Sequence, residues 1–454
     1  MKSIEQVKHV YFLGIGGIGM SALALFFLHR KCKVSGYDRV HTPITEELQK
    51  RGADIHFVES VDLLPKDIDL VIYTPAIPDI HVEWSVLREK NIPICKRSEI
   101  LGLITCPYKT LAVAGTHGKT TISTLVAFLL HKTIGCNAFL GGISKNFESN
   151  FLFSEHSKYM VVEADEYDRS FLHLHPWFSL VTSMDPDHLD IYGNAACMQE
   201  AYAEFMSQTD KAGGVILKYG LNPNLKSKYT YALQSSEDNS HAVDAYADNI
   251  RIKNGAYIFD YIGPKMCIKD LVLNYPGLHN VENAVAAITL VAETEITAEN
   301  IKTVLPLFKG VKRRFDEQIK RQDFLFIDDY AHHPKEIKAC LNSLKELYPN
   351  KKISLLFQPH LYSRTKDLAE DFADSLSMAD ELILLDIYPA RELPIEGITS
   401  HTIGDKVFGI PVYYVSKGDV LKFLERNIKT DILVSMGAGD IDRLVPVIKD
   451  LYEK

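Results

Sequence analysis

The sequence lacks several features that mark membrane, secreted or nucleic-acid-binding proteins. It contains no run of about 18 apolar residues, so we expect no membrane-spanning helix. The polar N-terminus does not resemble a signal peptide, and the 7 cysteines are scattered without a CxxC pair. That pattern favours reduced thiols in the cytoplasm over a disulfide framework or a zinc site. Acidic residues outnumber basic ones by 59 to 50, and the net charge of −9 argues against nucleic acid or an anionic membrane as a partner.

The 454 residues instead alternate short apolar runs with helical stretches, which is typical of α/β proteins. At about 150 residues per domain, the length predicts two to four domains, with three as the central value. We place their boundaries at residues 1–106, 107–310 and 311–454, and polar alternating residues between 226 and 269 predict a β excursion. The predicted strands include His9–Leu13, Lys33–Tyr37, Leu70–Tyr73, Ile353–Phe357, residues 324–327, residues 381–385 and residues 432–434.

A glycine motif, GIGGIG, follows the first predicted strand and opens a helix. Its candidate ligand-binding residues are Gly14, Gly16, Gly17, Ile18 and Gly19. Such a turn lets a diphosphate approach the backbone and the N-terminus of the helix. Asp38 ends the next strand, where a ribose hydroxyl could bind. Taken alone, the motif is typical of a dinucleotide dehydrogenase, and NAD is one candidate among diphosphate ligands.

A second glycine motif, GTHGKTT, also lies between a strand and a helix. The strict P-loop pattern would place a glycine where this chain has Val113. The Gly-Lys-Thr core nevertheless favours a nucleoside triphosphate, because the Lys119 ammonium can meet phosphate oxygens and the Thr120 hydroxyl can reach Mg²⁺. The loop residues assigned to the nucleotide are Gly115, Thr116, His117, Gly118, Lys119, Thr120 and Thr121.

Acidic residues follow two later strands, where enzymes with such loops place their metal ligands. Glu163 begins the acidic segment EADEYD, and His188 stands between two aspartates in DPDHLD. Asn280 and Asn283 lie one helical turn apart and could bind a base edge or cap the helix. Arg314, with its neighbour Arg313, could clamp phosphate or form a solvated hinge.

Histidine, tyrosine and arginine gather after strands of the third region. Tyr330 and His332 belong to DDYAHHP, and Arg364 belongs to the segment HLYSR. Clusters of this kind at strand ends suit a small anionic or zwitterionic ligand.

In this order the motifs resemble those of the Mur ligases, the ATP-dependent amide-forming enzymes of peptidoglycan precursor synthesis. The resemblance spans nearly the whole chain and is closest to the alanine-adding members. The motifs that carry it are GIGGIGMS at 14–21, GTHGKTT at 115–121, EADEYD at 163–168, DPDHLD at 185–190, RRF at 313–315, DDYAHHP at 328–334 and DIYPARE at 386–392.

The resemblance implies a Rossmann-like N-terminal domain for a UDP-sugar, a central ATPase domain with a mostly parallel sheet, and a Rossmann-like C-terminal domain for an amino acid. The implied reaction joins L-alanine to the lactyl carboxylate of UDP-N-acetylmuramate through an acyl phosphate. The first glycine motif would then hold the UDP diphosphate rather than NAD.

The family also implies roles for individual residues. Lys119 would bind the β- and γ-phosphates, Arg314 the γ-phosphate, and His117 would face the muramyl carboxylate. Thr120 and Glu163 would hold one Mg²⁺ and His188 a second. Adenine would lie near Asn280 and Asn283, and alanine near Tyr330, His332 and Arg364.

Two departures and three alternatives accompany this interpretation. Residues 189–210 contain no lysine, whereas several sister ligases carry a carbamylated lysine there, and Leu361 replaces a basic residue of some alanine-adding relatives. The alternatives are a recycling ligase that adds L-Ala-γ-D-Glu-diaminopimelate to the same UDP-sugar, an NAD-dependent dehydrogenase, and a non-catalytic ATP-driven regulator.

Overall fold

The computed structural model describes residues 4–186, 189–222, 224–234, 243–253, 255–390 and 392–453. The chain divides into two compact units. The first contains Met1–Arg251, Ile258–Val272 and Glu282–Phe308, and the second contains Ile252–Tyr257, Leu273–Val281 and Lys309–Lys454. Across these described ranges, no helix is both long and apolar enough to cross a bilayer. The predicted three-domain boundaries stay predictions.

Five parallel strands form the N-terminal sheet in the order β3-β2-β1-β4-β5. The strands are β1 (His9–Leu13), β2 (Lys33–Tyr37), β3 (Asp54–His56), β4 (Leu70–Tyr73) and β5 (Ile94–Lys96). The helices are α1 (Ile18–His29), α2 (Pro43–Lys50), α3 (Val82–Glu89) and α4 (Arg97–Thr105). The predictions for β1, β2 and β4 are confirmed. Because β1 lies between β2 and β4, the direction of strand addition reverses there, and a crevice opens at the carboxyl ends.

Helix α1 is apolar on nearly every side because it is buried between two sheets. One side covers the N-terminal sheet. The other side meets the central sheet, where the ring of Phe26 lies 5.9 Å from that of Phe139 and 6.1 Å from that of Phe151. The start of α1, which carries the first glycine motif, is therefore held by a core that both sheets share.

Seven strands form the central sheet in the order β12-β11-β10-β6-β9-β7-β8, parallel except for the β7–β8 pair. The strands are β6 (Lys109–Ala114), β7 (Asn137–Ser144), β8 (Ser149–Leu152), β9 (Tyr159–Glu163), β10 (Phe178–Val181), β11 (Gly214–Lys218) and β12 (Tyr229–Tyr231). The helices are α5 (Lys119–His131), α6 (Leu189–Tyr192), α7 (Ala195–Ser207), α8 (Leu278–Val291) and α9 (Ala298–Val304). The second glycine motif joins β6 to α5, so it opens at the carboxyl edge of this sheet.

A three-stranded sheet follows the central strands, in the region where the sequence predicted a β excursion. Its strands are β13 (Tyr246–Lys253), β14 (Ala256–Ile262) and β15 (Cys267–Leu273), in that order. The middle strand, β14, has no exposed residue, whereas five residues of β13 and three of β15 are exposed.

Six strands form the C-terminal sheet in the order β16-β17-β21-β18-β19-β20, with only β16 antiparallel to its neighbour. The strands are β16 (Asp316–Lys320), β17 (Leu325–Asp329), β18 (Ile353–Phe357), β19 (Glu381–Leu384), β20 (Val412–Tyr414) and β21 (Ile432–Met436). The helices are α10 (Pro334–Leu347), α11 (Tyr362–Asp367), α12 (Ala369–Leu376), α13 (His401–Gly404), α14 (Val420–Asn427) and α15 (Leu444–Glu453). The predicted mixture of helices and parallel strands is confirmed, and the histidine and arginine clusters follow β17 and β18.

Candidate active site

The first glycine motif forms the turn between β1 and α1. Gly14 has a φ of +85°, which favours glycine, and a Cβ there would lie 2.6 Å from Thr74 Cγ2. The N–H groups of Gly14 and Ile15 donate to the carbonyl oxygen of Tyr37 at 2.8 and 3.1 Å. Gly17 is the N-cap of the 12-residue helix α1. The turn therefore brings first-turn N–H groups, which lack partners within the helix, to the crevice beside β1.

Asp38 holds this turn from the neighbouring strand. Its Oδ2 accepts a hydrogen bond from the N–H of Gly16 at 2.7 Å, and its Oδ1 accepts one from the N–H of Val40 at 3.0 Å. A Cβ on Gly16 would lie 2.9 Å from the same Oδ2. The carboxylate thus fixes the shape of the turn, and its contact with a ribose hydroxyl stays a prediction.

A cation beside this turn was missed by the sequence analysis. Arg97 begins α4, and a Cβ on Gly19 would lie 2.9 Å from both Cδ and Nη1 of Arg97. Arg97 Nη2 lies 3.6 Å from Asp165 Oδ2, and Lys96 Nζ donates to Asp168 Oδ2 at 3.1 Å. The place of Arg97 over Gly19 depends on how α4 lies beside α1, so the local sequence pattern carried no signal of it.

The second glycine loop is held by the segment that follows β10. Gly115 has a φ of +125°, which a side chain would strain. The Thr116 hydroxyl donates to the carbonyl oxygen of Asp185 at 2.9 Å, and the N–H of His117 donates to Ser183 Oγ at 2.9 Å. His117 Nε2 also lies 3.3 Å from Asp185 Oδ2. The loop is therefore shaped by contacts to a neighbouring strand end.

The two asparagines of α8 have different surroundings. Asn283 lies against the second glycine loop, because a Cβ on Gly118 would be 3.0 Å from its Oδ1. Asn280 is 3% exposed, and its Nδ2 donates to the carbonyl oxygen of Pro276 at 2.5 Å. A nucleotide base could therefore reach Asn283 more readily, while Asn280 stabilises its own turn.

Lys119, the first residue of α5, lies deep in the loop. Its ammonium donates to the carbonyl oxygen of Gly115 at 2.7 Å and to both carboxylate oxygens of Glu166 at 2.8 Å. Burial alone would lower the pKa of Lys119, but Glu166, Asp165 and Glu163 outweigh that effect and raise this pKa. Burial raises the pKa of Glu166 above its usual value, although the positive charge of Lys119 acts to lower this pKa. The pair places a charged ammonium where phosphates would meet the helix.

Thr120 and Glu163 meet beside this lysine. The Thr120 hydroxyl donates to Glu163 Oε1 at 3.1 Å, and the N–H of Gly141 donates to Glu163 Oε2 at 3.0 Å. A Cβ on Gly141 would lie 2.1 Å from that oxygen, so only glycine leaves room for the carboxylate. A hydroxyl and a carboxylate are oxygen donors that suit Mg²⁺, so these residues fit the ion that the resemblance implies.

The predicted second metal ligand, His188, lies outside the described residues. Within the part of the chain that the structure describes, no group of three or more His, Cys, Asp or Glu side chains is arranged to hold a metal ion. The Mg²⁺ site formed by Thr120 and Glu163 stays a prediction.

In the second unit, the two arginines after the connection at 309–312 differ in their contacts. Arg313 Nε lies 3.5 Å from Asp328 Oδ2, which is almost fully buried. Arg314 Nη1 lies 3.9 Å from Glu336 Oε1, and the Arg314 guanidinium carbon lies 4.8 Å from the centre of the Tyr330 ring. Arg313 is thus tied to a buried partner, and the preference for Arg314 as the phosphate ligand stays a prediction.

Buried carboxylates anchor the segment that carries these arginines. Asp329 Oδ2 accepts from the N–H of Phe315 at 2.6 Å, and Asp316 Oδ2 accepts from the N–H of Arg313 at 3.1 Å. Burial raises the pKa of Asp328 to about 7 against the opposing charge of Arg313. Burial likewise raises the pKa of Asp329 to about 6. The backbone of the arginine segment is therefore fixed by carboxylates of β16 and β17.

Tyr330, His332 and Arg364 gather near the carboxyl ends of β17 and β18. His332 Nδ1 lies 3.0 Å from the carbonyl oxygen of Tyr330, and the backbone N–H of His332 donates to Glu336 Oε2 at 3.1 Å. Burial lowers the pKa of His332 to about 4. The charges of Arg364 and Arg314 also lower this pKa, whereas the charge of Glu336 raises it. His332 is thus neutral near pH 7, and Arg364, which is 9% exposed, supplies the positive charge.

Three family models match successive parts of the chain. Residues 9–109 match the Mur ligase family catalytic domain, residues 113–291 the Mur ligase middle domain, and residues 313–439 the Mur ligase glutamate ligase domain. The chain is 47% identical over 460 residues to UDP-N-acetylmuramate–L-alanine ligase of Phocaeicola vulgatus, and 99% of each chain is covered. It is also 47% identical over 458 residues to the enzyme of the same name from Flavobacterium psychrophilum, with 100% of both covered.

Solved structures give the same result. UDP-N-acetylmuramate–alanine ligase of Thermotoga maritima matches with a TM-score of 0.83 at 29% identity, covering 98% of this chain and 99% of that chain. A murein peptide ligase of Psychrobacter arcticus shares the fold, with a TM-score of 0.71 at 22% identity over 98% of both chains. The glycine loops, the Lys119 site and these full-length matches lead to one conclusion: the chain belongs to the Mur ligase family.

Proposed function

We propose that the chain is an ATP-dependent ligase that joins L-alanine to the lactyl carboxylate of UDP-N-acetylmuramate. The observation that carries the proposal is the second glycine loop, where the Lys119 ammonium, the Thr120 hydroxyl and the Glu163 carboxylate lie together at the start of α5. The full-length identity of 47% to ligases with these substrates supports the choice of substrates.

The reaction has two steps, phosphorylation of the lactyl carboxylate and formation of the amide bond. A lactyl carboxylate oxygen attacks the γ-phosphorus of ATP, an O–P bond forms, and the bond to ADP breaks to give an acyl phosphate. The alanine amine then attacks the carbonyl carbon, and the tetrahedral intermediate expels phosphate while the amine loses a proton. Phosphorylation is needed because a carboxylate is a poor electrophile and lacks a good leaving group.

The phosphates would bind in the second glycine loop. Lys119 would move one or more N–H groups from Glu166 to the β- and γ-phosphates, while the backbone of the loop cradles them. Asn283 would lie near adenine, with Asn280 behind it. The proposed ATP contacts in the loop are Gly115, Thr116, His117, Gly118, Lys119, Thr120 and Thr121.

Charge at this site explains why a divalent ion is required. Glu163, Asp165 and Glu166 all act on Lys119, so carboxylates exceed the ammonium before any phosphate arrives. Mg²⁺ held by Thr120 and Glu163 would offset the repulsion between these carboxylates and the triphosphate. A second ion at His188 stays a prediction.

The other substrates would bind at the remaining clusters. The UDP diphosphate would contact the turn formed by 14–19, where α1 begins. The alanine carboxylate would pair with Arg364, since His332 is neutral and cannot supply charge. Tyr330 would line the same site, and the role of Arg314 at the γ-phosphate stays a prediction. We place the reaction in the cytoplasm, with small molecules as its only proposed partners.

An ADP-release assay tests the proposal. Purified protein receives ATP, Mg²⁺ and UDP-N-acetylmuramate with L-alanine, glycine, L-serine or L-Ala-γ-D-Glu-diaminopimelate. We expect the highest kcat/KM with L-alanine and no turnover without UDP-N-acetylmuramate. Turnover with the tripeptide and none with L-alanine would instead identify a recycling ligase.

A further inference from the structure

The turn proposed to hold the UDP diphosphate has no cation among the residues predicted from the sequence. A diphosphate brings at least two negative charges to a protein whose net charge is −9. N–H groups at a helix N-terminus offset such charge only in part. A cationic side chain beside the turn would therefore strengthen binding considerably.

We propose that Arg97 is the cation of the diphosphate site and that it leaves Asp165 to bind this ligand. The proposal deepens the proposed function and rests on it, because it takes UDP-N-acetylmuramate as the substrate. Arg97 becomes a binding residue of the N-terminal glycine turn, and Asp165 becomes the group that holds its guanidinium while no diphosphate is bound.

The Arg97 guanidinium lies beside the glycine turn. A Cβ on Gly19 would lie 2.9 Å from Nη1 of Arg97 and 3.2 Å from its Cζ, so the guanidinium lies directly over the first turn of α1. The glycine at this position thus leaves space for an arginine as well as for the helix. A phosphate at the N–H groups of this turn would be within reach of the same guanidinium.

The ion pair between Arg97 and Asp165 is loose. Nη2 of Arg97 lies 3.6 Å from Asp165 Oδ2, which is longer than a hydrogen bond, and the Arg97 side chain is 22% exposed. Asp165 also makes a hydrogen bond within its own segment, because its Oδ1 accepts from the backbone N–H of Tyr167 at 3.1 Å. Exchanging Asp165 for a diphosphate would therefore cost Arg97 little and would leave the acidic segment folded.

Lys96 makes a useful contrast. Its ammonium donates to Asp168 at 3.1 Å, a hydrogen bond of ordinary length, and that pair joins α4 to the acidic segment. A planar guanidinium can also form two parallel bonds with phosphate oxygens, which an ammonium cannot. The geometry therefore favours Arg97 over its neighbour as the diphosphate ligand.

Calorimetric titration of the full chain with uridine, UDP and UDP-N-acetylmuramate tests the assignment. For Arg97→Met, we expect UDP and UDP-N-acetylmuramate to bind about 10- to 100-fold more weakly, while uridine binding stays within threefold of wild type. Arg97→Lys should bind UDP more weakly than wild type and more tightly than Arg97→Met, because lysine keeps the charge but cannot form two parallel hydrogen bonds with phosphate. Lys96→Met is the matched control and should bind UDP within threefold of wild type.

Asp165→Asn tests the exchange separately. Asparagine keeps an acceptor for the N–H of Tyr167 but no longer attracts Arg97, so UDP should bind this variant as tightly as wild type or more tightly. Binding of UDP to Arg97→Met within threefold of wild type would overturn the diphosphate assignment, as would an equal loss for uridine. Weaker UDP binding by Asp165→Asn would overturn the exchange. A wild-type protein that binds neither UDP nor UDP-N-acetylmuramate would instead overturn the proposed function itself.

Discussion

Replacing Lys119 by methionine should separate the stability of the first unit from its catalysis. The Lys119 ammonium lies 2.8 Å from both oxygens of Glu166, whose side chain is only 1% exposed. Lys119→Met leaves that carboxylate buried without its cation, and removing one partner of a buried pair costs on the order of 3–5 kcal/mol. We expect the free energy of unfolding of this unit to fall by that amount, and turnover to be lost.

A double variant distinguishes the two effects. Adding Glu166→Gln to Lys119→Met removes the uncompensated charge, so most of the lost stability should return. Activity should not return, because no ammonium is left to meet the phosphates. Arg51→Met is the matched control: Arg51 pairs with Glu47 at 2.7 Å with both side chains about half exposed, and its loss should cost no more than about 1 kcal/mol.

Urea denaturation followed by tryptophan fluorescence reads this unit selectively, since both of the chain's 2 tryptophans, Trp84 and Trp177, lie in it. A Lys119→Met variant as stable as wild type would refute the buried-pair reasoning. So would a double variant no more stable than the single one. An active Lys119→Met variant would refute the phosphate assignment.

Other substitutions give further expected outcomes. Gly141→Ala places a Cβ 2.1 Å from Glu163 Oε2, so we expect the Mg²⁺ concentration for half-maximal activity to rise at least about tenfold, as an Mg²⁺ titration would measure. The pKa of His332 is about 4 in the folded protein and 6.5 in the unfolded chain, so between these pH values the unfolded chain binds more protons at this residue. His332 therefore makes the free energy of unfolding fall as the pH falls from 7 to 4. His332→Gln should make that decline smaller, as urea denaturation at pH 4 to 7 would measure. Arg314→Lys should lower kcat at least about tenfold, whereas Arg313→Lys should mainly lower the melting temperature, because Arg313 is tied to Asp328.

The sequence predicted those features that depend on local pattern. The strands β1, β2 and β4 were predicted to the residue, because each apolar run is short and bounded by polar residues or glycine. Both glycine motifs lie between a strand and a helix, as their spacing required. The resemblance implied that Thr120 and Glu163 share one Mg²⁺, and the structure places the Thr120 hydroxyl 3.1 Å from Glu163 Oε1.

Long-range partners could not be predicted from local pattern. Glu166 was one of several acidic residues in its segment, and only the fold shows that it binds Lys119, 47 positions away. Arg97 gave no signal of its own, because its position over Gly19 depends on how α4 lies beside α1. Gly141 was missed for a similar reason: its lack of a side chain matters only once Glu163 is beside it.

The proposed reaction requires phosphorylation of the lactyl carboxylate, and the transfer of an oxygen isotope detects that step directly. UDP-N-acetylmuramate labelled with ¹⁸O in its lactyl carboxylate is incubated with ATP, Mg²⁺, L-alanine and the protein, and the released phosphate is examined by mass spectrometry. The acyl-phosphate route predicts one ¹⁸O atom from the carboxylate in each phosphate formed. Phosphate without that label, released as L-alanine is joined, would rule out the acyl-phosphate route.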